Sequence, residues 1–115
     1  MAQAVSFSSD NVGDFTQVIT LDGQCDGSTA VEAQEGIRAA LASGRTQIVF
    51  DLRGVSSVVP SMLQMLSRGA IEAKTRHGGL AIIRPNEHVW AMFEQGGLGR
   101  VFPTFQELKG ALARA

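Results

Sequence analysis

Gln47-Ile48-Val49-Phe50-Asp51-Leu52-Arg53-Gly54-Val55 is the stretch on which the fold turns. Ile48-Val49-Phe50 is continuously apolar and β-prone, with no polar alternation to mark a solvent-facing side. Such a run suits an interior strand buried on both faces. Asp51 is expected to end it and Gly54 to break the chain. Buried parallel strands are joined by helical crossovers, so the flanking sequence should be helical.

Working back from this strand, Ala30, Ala33, Ile37, Ala40 and Leu41 recur at helical spacing, with Gln34, Glu35 and Arg38 on the other side. Thr29 and Glu32 form a capping box at the helix start, and Ser43-Gly44 stops it. Before that, Thr16 to Leu21 is β-branched and reads as a strand closed by Asp22-Gly23. Ala4 to Ser8 is a candidate edge strand ahead of a turn at Asn11 to Asp14.

Working forward, a helix is expected from Pro60 or Ser61 to about Arg76, with Leu63, Leu66, Ala70 and Ala73 as its inner stripe. Proline suits the first helical position, where its missing N–H has no intrahelical partner to lose. Gly78-Gly79 ends the helix and Leu80 to Ile83 is a further strand. Glu87 to Gln95 is a third helix with Val89, Met92 and Phe93 facing in, capped by Gly96-Gly97. Val101-Phe102 reads as a last short strand, and Phe105 to Ala113 as a fourth helix carrying Leu108, Ala111 and Leu112. Strands alternating with helices imply one α/β domain over residues 1–115. Its sheet is expected to be mixed and four- to five-stranded, with about four helices.

The composition narrows the function classes. Net charge is -1, from 10 Lys+Arg against 11 Asp+Glu, which leaves no basic excess for a nucleic-acid face. No apolar run is long enough to span a bilayer and no leader pattern opens the chain, so a cytoplasmic protein is expected. Cys25 is the one cysteine, read as a small buried thiol. His77 and His88 sit at helix ends and read as surface residues. No Cys/His spacing suits a metal, and no glycine-rich phosphate loop is present, so neither a cofactor nor an enzymatic activity is expected. Asp26 and Asp51 both read as carboxylates at strand ends, where loop capping is the commoner role.

The order of elements, and several local strings, resemble the STAS domain of the anti-sigma-factor-antagonist type. Those strings are Gly23-Gln24-Cys25-Asp26 with Ser28-Thr29, Asp51-Leu52-Arg53-Gly54-Val55, Gly78-Gly79-Leu80, Gly97-Leu98 and Phe102-Pro103. The resemblance implies a STAS-like fold and a non-enzymatic, protein-binding role. The family's signature, Asp-Ser-x-Gly-Leu at the start of the second helix, carries a hydroxyl that takes phosphate from a partner anti-sigma factor that is also a kinase. A helix N-terminus suits an anion, and phosphate there brings about -1.5 to -2 charges into a binding surface. Here the matching residues are Val59-Pro60-Ser61-Met62-Leu63. Proline stands in place of the phosphoacceptor, so no phosphorylation is expected at Pro60. Ser61, rotated by about 100° around the helix, is a weak substitute.

Val58, Val59, Pro60, Met62 and Met65 make this segment apolar, and grouped exposed apolar residues mark interfaces. The expected partner-binding set is Asp26, Val58, Val59, Pro60, Ser61, Met62 and Met65. The competing reading packs the apolar members inside. On the first reading, replacing Met62 and Met65 by Asp weakens partner binding by several kcal/mol. The partner implied is an anti-sigma factor or kinase-like regulator. Alternatives are an accessory subunit of an ABC-type lipid transporter or a scaffold assembly, a homodimer through the same patch, and a nucleotide-sensing domain.

Overall fold

A parallel strand buried on both sides must be covered by helices, and the computed structural model shows how this chain does it. The structure describes residues 6–12 (backbone), 15–107 and 109–110. In chain order the elements are β1 (Ser6–Val12), β2 (Thr16–Cys25), α1 (Gly27–Ala42), β3 (Gln47–Val58), α2 (Pro60–Thr75), β4 (Gly79–Ile83), α3 (Glu87–Gln95) and β5 (Thr104–Phe105). They form one five-stranded sheet in the order β1-β2-β3-β4-β5. β1 runs antiparallel to β2, and the other neighbouring pairs are parallel. The mixed α/β architecture read from the sequence is therefore present.

Because each strand pairs with the next in sequence, every crossover steps the same way. Right-handed crossovers then put their helices on one face of the sheet. The packing agrees. Ala33 and Ile37 of α1, Met62 and Leu66 of α2, and Val89 and Phe93 of α3 share one core with Ile19, Phe50 and Ile82 of the sheet. The opposite face carries a smaller cluster of Val18, Val49 and Ile83, against which Phe105 packs. Ile48, Val49 and Phe50 are all buried, as a central strand requires.

Two glycines allow close approaches. A Cβ on Gly69 would lie 2.7 Å from Ile37 Cδ1, so this glycine lets α2 settle against α1. A Cβ on Gly78 would collide with the backbone carbonyl of Thr46, where the turn into β4 crosses the turn into β3. The adjacent Gly79 amide donates to that same carbonyl at 3.1 Å. Backbone cannot swing aside as a side chain does, so Gly78→Ala should cost about 2–3 kcal/mol. A lowered urea midpoint with unchanged slope would register this loss.

Several boundaries differ from the sequence reading. α1 starts at Gly27, capped by Asp26 and Thr29; Thr29 with Glu32 is not its capping box. β2 does not stop at Asp22-Gly23 but continues to Cys25. Gly23, at φ 83°, sits where the β2–β3 register shifts, the conformation a bulge asks of glycine. Asp51 does not end β3, and Gly54 does not break it; the strand follows β2 to Val58. Val101-Phe102 is a turn, and the last strand lies beyond Pro103. Phe105 belongs to that strand rather than to a fourth helix. Lys109 and Gly110 are helical, while Leu108 and residues 111–113 of the expected helix fall outside the described residues. So do Ala4 and Val5 of the expected edge strand and Gly13 and Asp14 of the expected turn; Asn11 and Val12, expected in that turn, instead extend β1 against β2.

Candidate functional site

β2 and β3 end side by side, Cys25 opposite Val58. Each then turns directly into a helix, so the N-termini of α1 and α2 are neighbours. The Val59 amide donates to the Cys25 carbonyl at 3.2 Å and ties the two turns together. This pair of helix tips is the candidate site.

The two tips are finished differently. At α1, Asp26 Oδ1 accepts from the Ser28 hydroxyl at 2.7 Å, the Ser28 amide at 3.0 Å, the Thr29 amide at 3.1 Å and the Thr29 hydroxyl at 3.2 Å. The Asp26 amide in turn donates to Thr29 Oγ1 at 3.2 Å. These bonds, the Ser28 hydroxyl foremost and then the Thr29 amide, hold the exposed Asp26 carboxyl below its usual range. At α2 the capping residue is Val59, in extended conformation, with no side-chain cap, and Pro60 follows. Pro60 and Ser61 are exposed.

The lowered acidity of Asp26 predicts a pH dependence. A carboxylate favoured in the folded state stabilises fully above its unfolded pKa of ~4. That contribution fades as pH falls through the lower folded value. Asp26→Ala should therefore lower Tm at neutral pH, and by progressively less below about pH 4. Tm measured against pH for both proteins checks this.

The rest of the expected partner-binding set separates into outside and inside. Met62 is 0% exposed, Met65 2% and Val58 5%, so these three are core residues and not an apolar contact patch. Val59 is half-buried and packs against the same core. The reason is helical phase. Met62, Met65, Leu66, Gly69, Ala70 and Ala73 make the buried stripe of α2, and Leu63, assigned to that stripe from sequence, sits at its margin, half-exposed.

Leu63 instead lines a groove of about 540 Å³ that runs back from the tip along α2, with Pro60, Gln64, Ser67 and Arg68 beside it. Gly96 and Leu98, just past α3, form the other wall. None of these except Pro60 was singled out as a site residue from sequence. The signal was present in Pro60, Gln64, Ser67 and Arg68, polar or small residues at helical spacing beside a leucine.

Asp26 and Asp51 do not converge. Asp51 lies in mid-strand, buried, and receives Arg53 Nη2 at 2.8 Å and Nε at 3.0 Å. That bidentate contact, before any other influence, holds the Asp51 carboxyl low. Cys25 is buried, and desolvation, aided by the charges of Asp26 and Asp22, pushes its thiol up to about 11. A thiol in that state is a poor nucleophile. His77 and His88 are exposed at separate helix ends. Among the described residues no group of three His, Cys, Asp or Glu is placed to hold a metal, and no helix is long and apolar enough to cross a membrane.

The fold and the paired helix tips define a STAS-type domain. Residues 10–108 match the family described as "Mlab, STAS domain", and the chain belongs to the STAS domain family. SpoIIAA in its unphosphorylated form, an anti-sigma factor antagonist, superposes with a TM-score of 0.84 at 23% identity, over 95% of this chain and 95% of that one. An anti-sigma factor antagonist from Mycobacterium paratuberculosis gives 0.81 at 20% identity, over 96% and 93%. A STAS domain protein of Planctomyces limnophilus gives 0.78 at 17%, over 93% and 96%. At these identities the likeness is one of fold. No curated protein sequence matches the chain.

Proposed function

We propose that this domain is a regulatory protein-binding module of the anti-sigma-factor-antagonist kind, docking its partner on the adjacent tips of α1 and α2 without a phosphorylation switch at Pro60. The observation that carries the reading is the start of α2. It is exposed, no side chain caps it, and proline occupies the position at which the family resemblance places an acceptor hydroxyl. Asp26 stands ionised at the neighbouring tip and gives the face a fixed negative group. The docking residues are then Asp26, Pro60 and Ser61, with Val59 beneath them.

The test uses the partner recovered with the tagged chain, identified by mass spectrometry, purified and titrated calorimetrically. Ser61→Glu places a charge on the exposed tip, where the helix dipole tolerates it. Its Tm should match that of the wild type, and its affinity should fall at least ~10-fold. Incubation of the wild type with the partner and ATP should leave the tip unmodified. Phosphate on Ser61, or undiminished binding by Ser61→Glu, would remove the reading.

A second reading is the resident subunit of an ABC-type lipid transporter. It is favoured by the same fixed tip, since a permanent subunit needs no release switch. The identity of the recovered partner separates the two: a kinase-like regulator supports the first, and a transporter ATPase the second.

A further inference from the structure

The end of the sheet opposite the docking tips gathers positive charge. The Gln47 amide donates to the Phe15 carbonyl at 2.9 Å, and the Gly79 amide to the Thr46 carbonyl at 3.1 Å. The starts of β2, β3 and β4 therefore stand side by side, and the C-termini of α1 and α2 lead into two of them. Arg76 reaches across from α2, its Nη1 donating to the Leu41 carbonyl of α1 at 3.3 Å. Arg45 Nη1 donates to the Thr16 carbonyl at 3.4 Å. A guanidinium keeps its full charge after such a bond. Lys74 is exposed in the last turn of α2, and the nearest acid on that helix, Glu72, is half-buried further in. The whole chain has a net charge of -1, so this end is positive against the trend of the molecule. Asp22 and Asp26 lie at the other end of β2.

Helix dipoles account for Lys74 and Arg76. They do not account for two neighbours. Phe15 is 66% exposed, more than any other large apolar side chain described, and starts only two strand spacings, ~10 Å, from Gly79. His77 holds a left-handed backbone, φ 63°. The Gly78 amide donates to the Ala73 carbonyl at 2.8 Å and the His77 amide to the Lys74 carbonyl at 3.0 Å. A helix end of that form ordinarily takes glycine where His77 stands, so a side chain is kept here against the backbone's preference.

We propose that this end is a docking face for an anionic lipid bilayer, with Arg45, Lys74 and Arg76 against headgroup phosphates, His77 hydrogen-bonding among them and Phe15 in the interfacial zone. A bilayer is a laterally extended anion, so it engages cations spread over three chain turns at once. It also rewards an exposed aromatic ring, which a small free anion does not. β2 and β3 run from this end to the tips of α1 and α2, so a domain held in this way turns Asp26 and Pro60 away from the lipid. The two faces are separate, and the lipid face does not rest on the identity of the protein partner.

Vesicle sedimentation of the full chain tests this. Vesicles of equal parts phosphatidylcholine and phosphatidylglycerol should carry the chain into the pellet, and vesicles of phosphatidylcholine alone should not. Added salt should release it, because the attraction is screened. Lys74→Glu with Arg76→Glu should raise the lipid concentration for half-binding at least ~10-fold. Arg76 also ties α2 to α1, so Lys74→Glu alone is the second variant. It should keep the wild-type Tm and still raise that concentration at least ~3-fold. Phe15→Ser should do the same. His77→Gly should raise Tm, since glycine takes this backbone conformation freely, and weaken adsorption.

Equal pelleting with both kinds of vesicle, or with neither, overturns the inference. So does undiminished adsorption by Lys74→Glu, Phe15→Ser or His77→Gly. Binding of soluble polyglutamate that equals vesicle binding and ignores Phe15→Ser also overturns it, since the occupant would then be an acidic protein. Ser61→Glu should pellet like the wild type. Loss of adsorption in that variant would put the lipid at the docking tips instead, and the basic end would carry no such role.

Discussion

Met62→Asp should abolish the cooperative thermal transition. Met62 is 0% exposed, in the first turn of α2, against the sheet core. Two effects oppose each other there. An acidic side chain near a helix N-terminus gains about 0.3–1 kcal/mol from the dipole. An unpaired carboxylate taken out of water costs more than about 5 kcal/mol, or is protonated at similar cost. The second effect wins and consumes most of the roughly 5–15 kcal/mol by which a domain is stable. Ser61→Asp, one residue earlier and exposed, is the control. It should melt like the wild type. If Met62→Asp melted normally and lost only its partner, the helix would have to be rotated from the orientation described.

The second large effect is expected at Phe93. Its ring stacks on Trp90 with centroids 5.4 Å apart and meets Phe102 edge-on at 6.5 Å. It is 0% exposed. Phe93→Ala deletes the centre of this trio and should cost about 3–5 kcal/mol. For a domain of this size that is a fall in Tm of roughly 10–20 °C. Trp90 is the sole tryptophan, so its fluorescence reports directly on the cluster. The Leu98 amide donates to the Phe93 carbonyl at 2.8 Å, which couples the trio to the groove wall.

How far the sequence was legible depends on which signal each residue carried. Ile48-Val49-Phe50 and the stripe Ala30, Ala33, Ile37, Ala40, Leu41 had one consistent period each, and both fell where expected. The start of α2 did not. Met62-Leu63 and Met65-Leu66 offer two helical phases one residue apart, and the leucines drew the stripe toward Leu63. Gly69 settles the phase, because it faces Ile37 across the helix contact, but a lone glycine reads equally well as an interruption. The ends of β2 and β3 were hidden for a different reason. Asp22-Gly23 and Asp51 through Gly54 look like turns, yet the strands pass through them, held by each other in register across the bulges. Pairing between distant segments overrides local turn chemistry, and no local window contains it. Of the site, the Asp26 tip and Pro60 were visible as motifs. Of the groove only the α2 wall was visible, as Pro60, Gln64, Ser67 and Arg68 at helical spacing; Gly96 and Leu98 join it only after folding.

The first turn of α2 has an evolutionary corollary. The residue at its leading position donates nothing to the helix, so the scaffold is indifferent to whether a ring or a hydroxyl sits there. One base change converts any proline codon into a serine codon. Placing a hydroxyl at this tip is thus a single mutational step, with little stability to forfeit on the way.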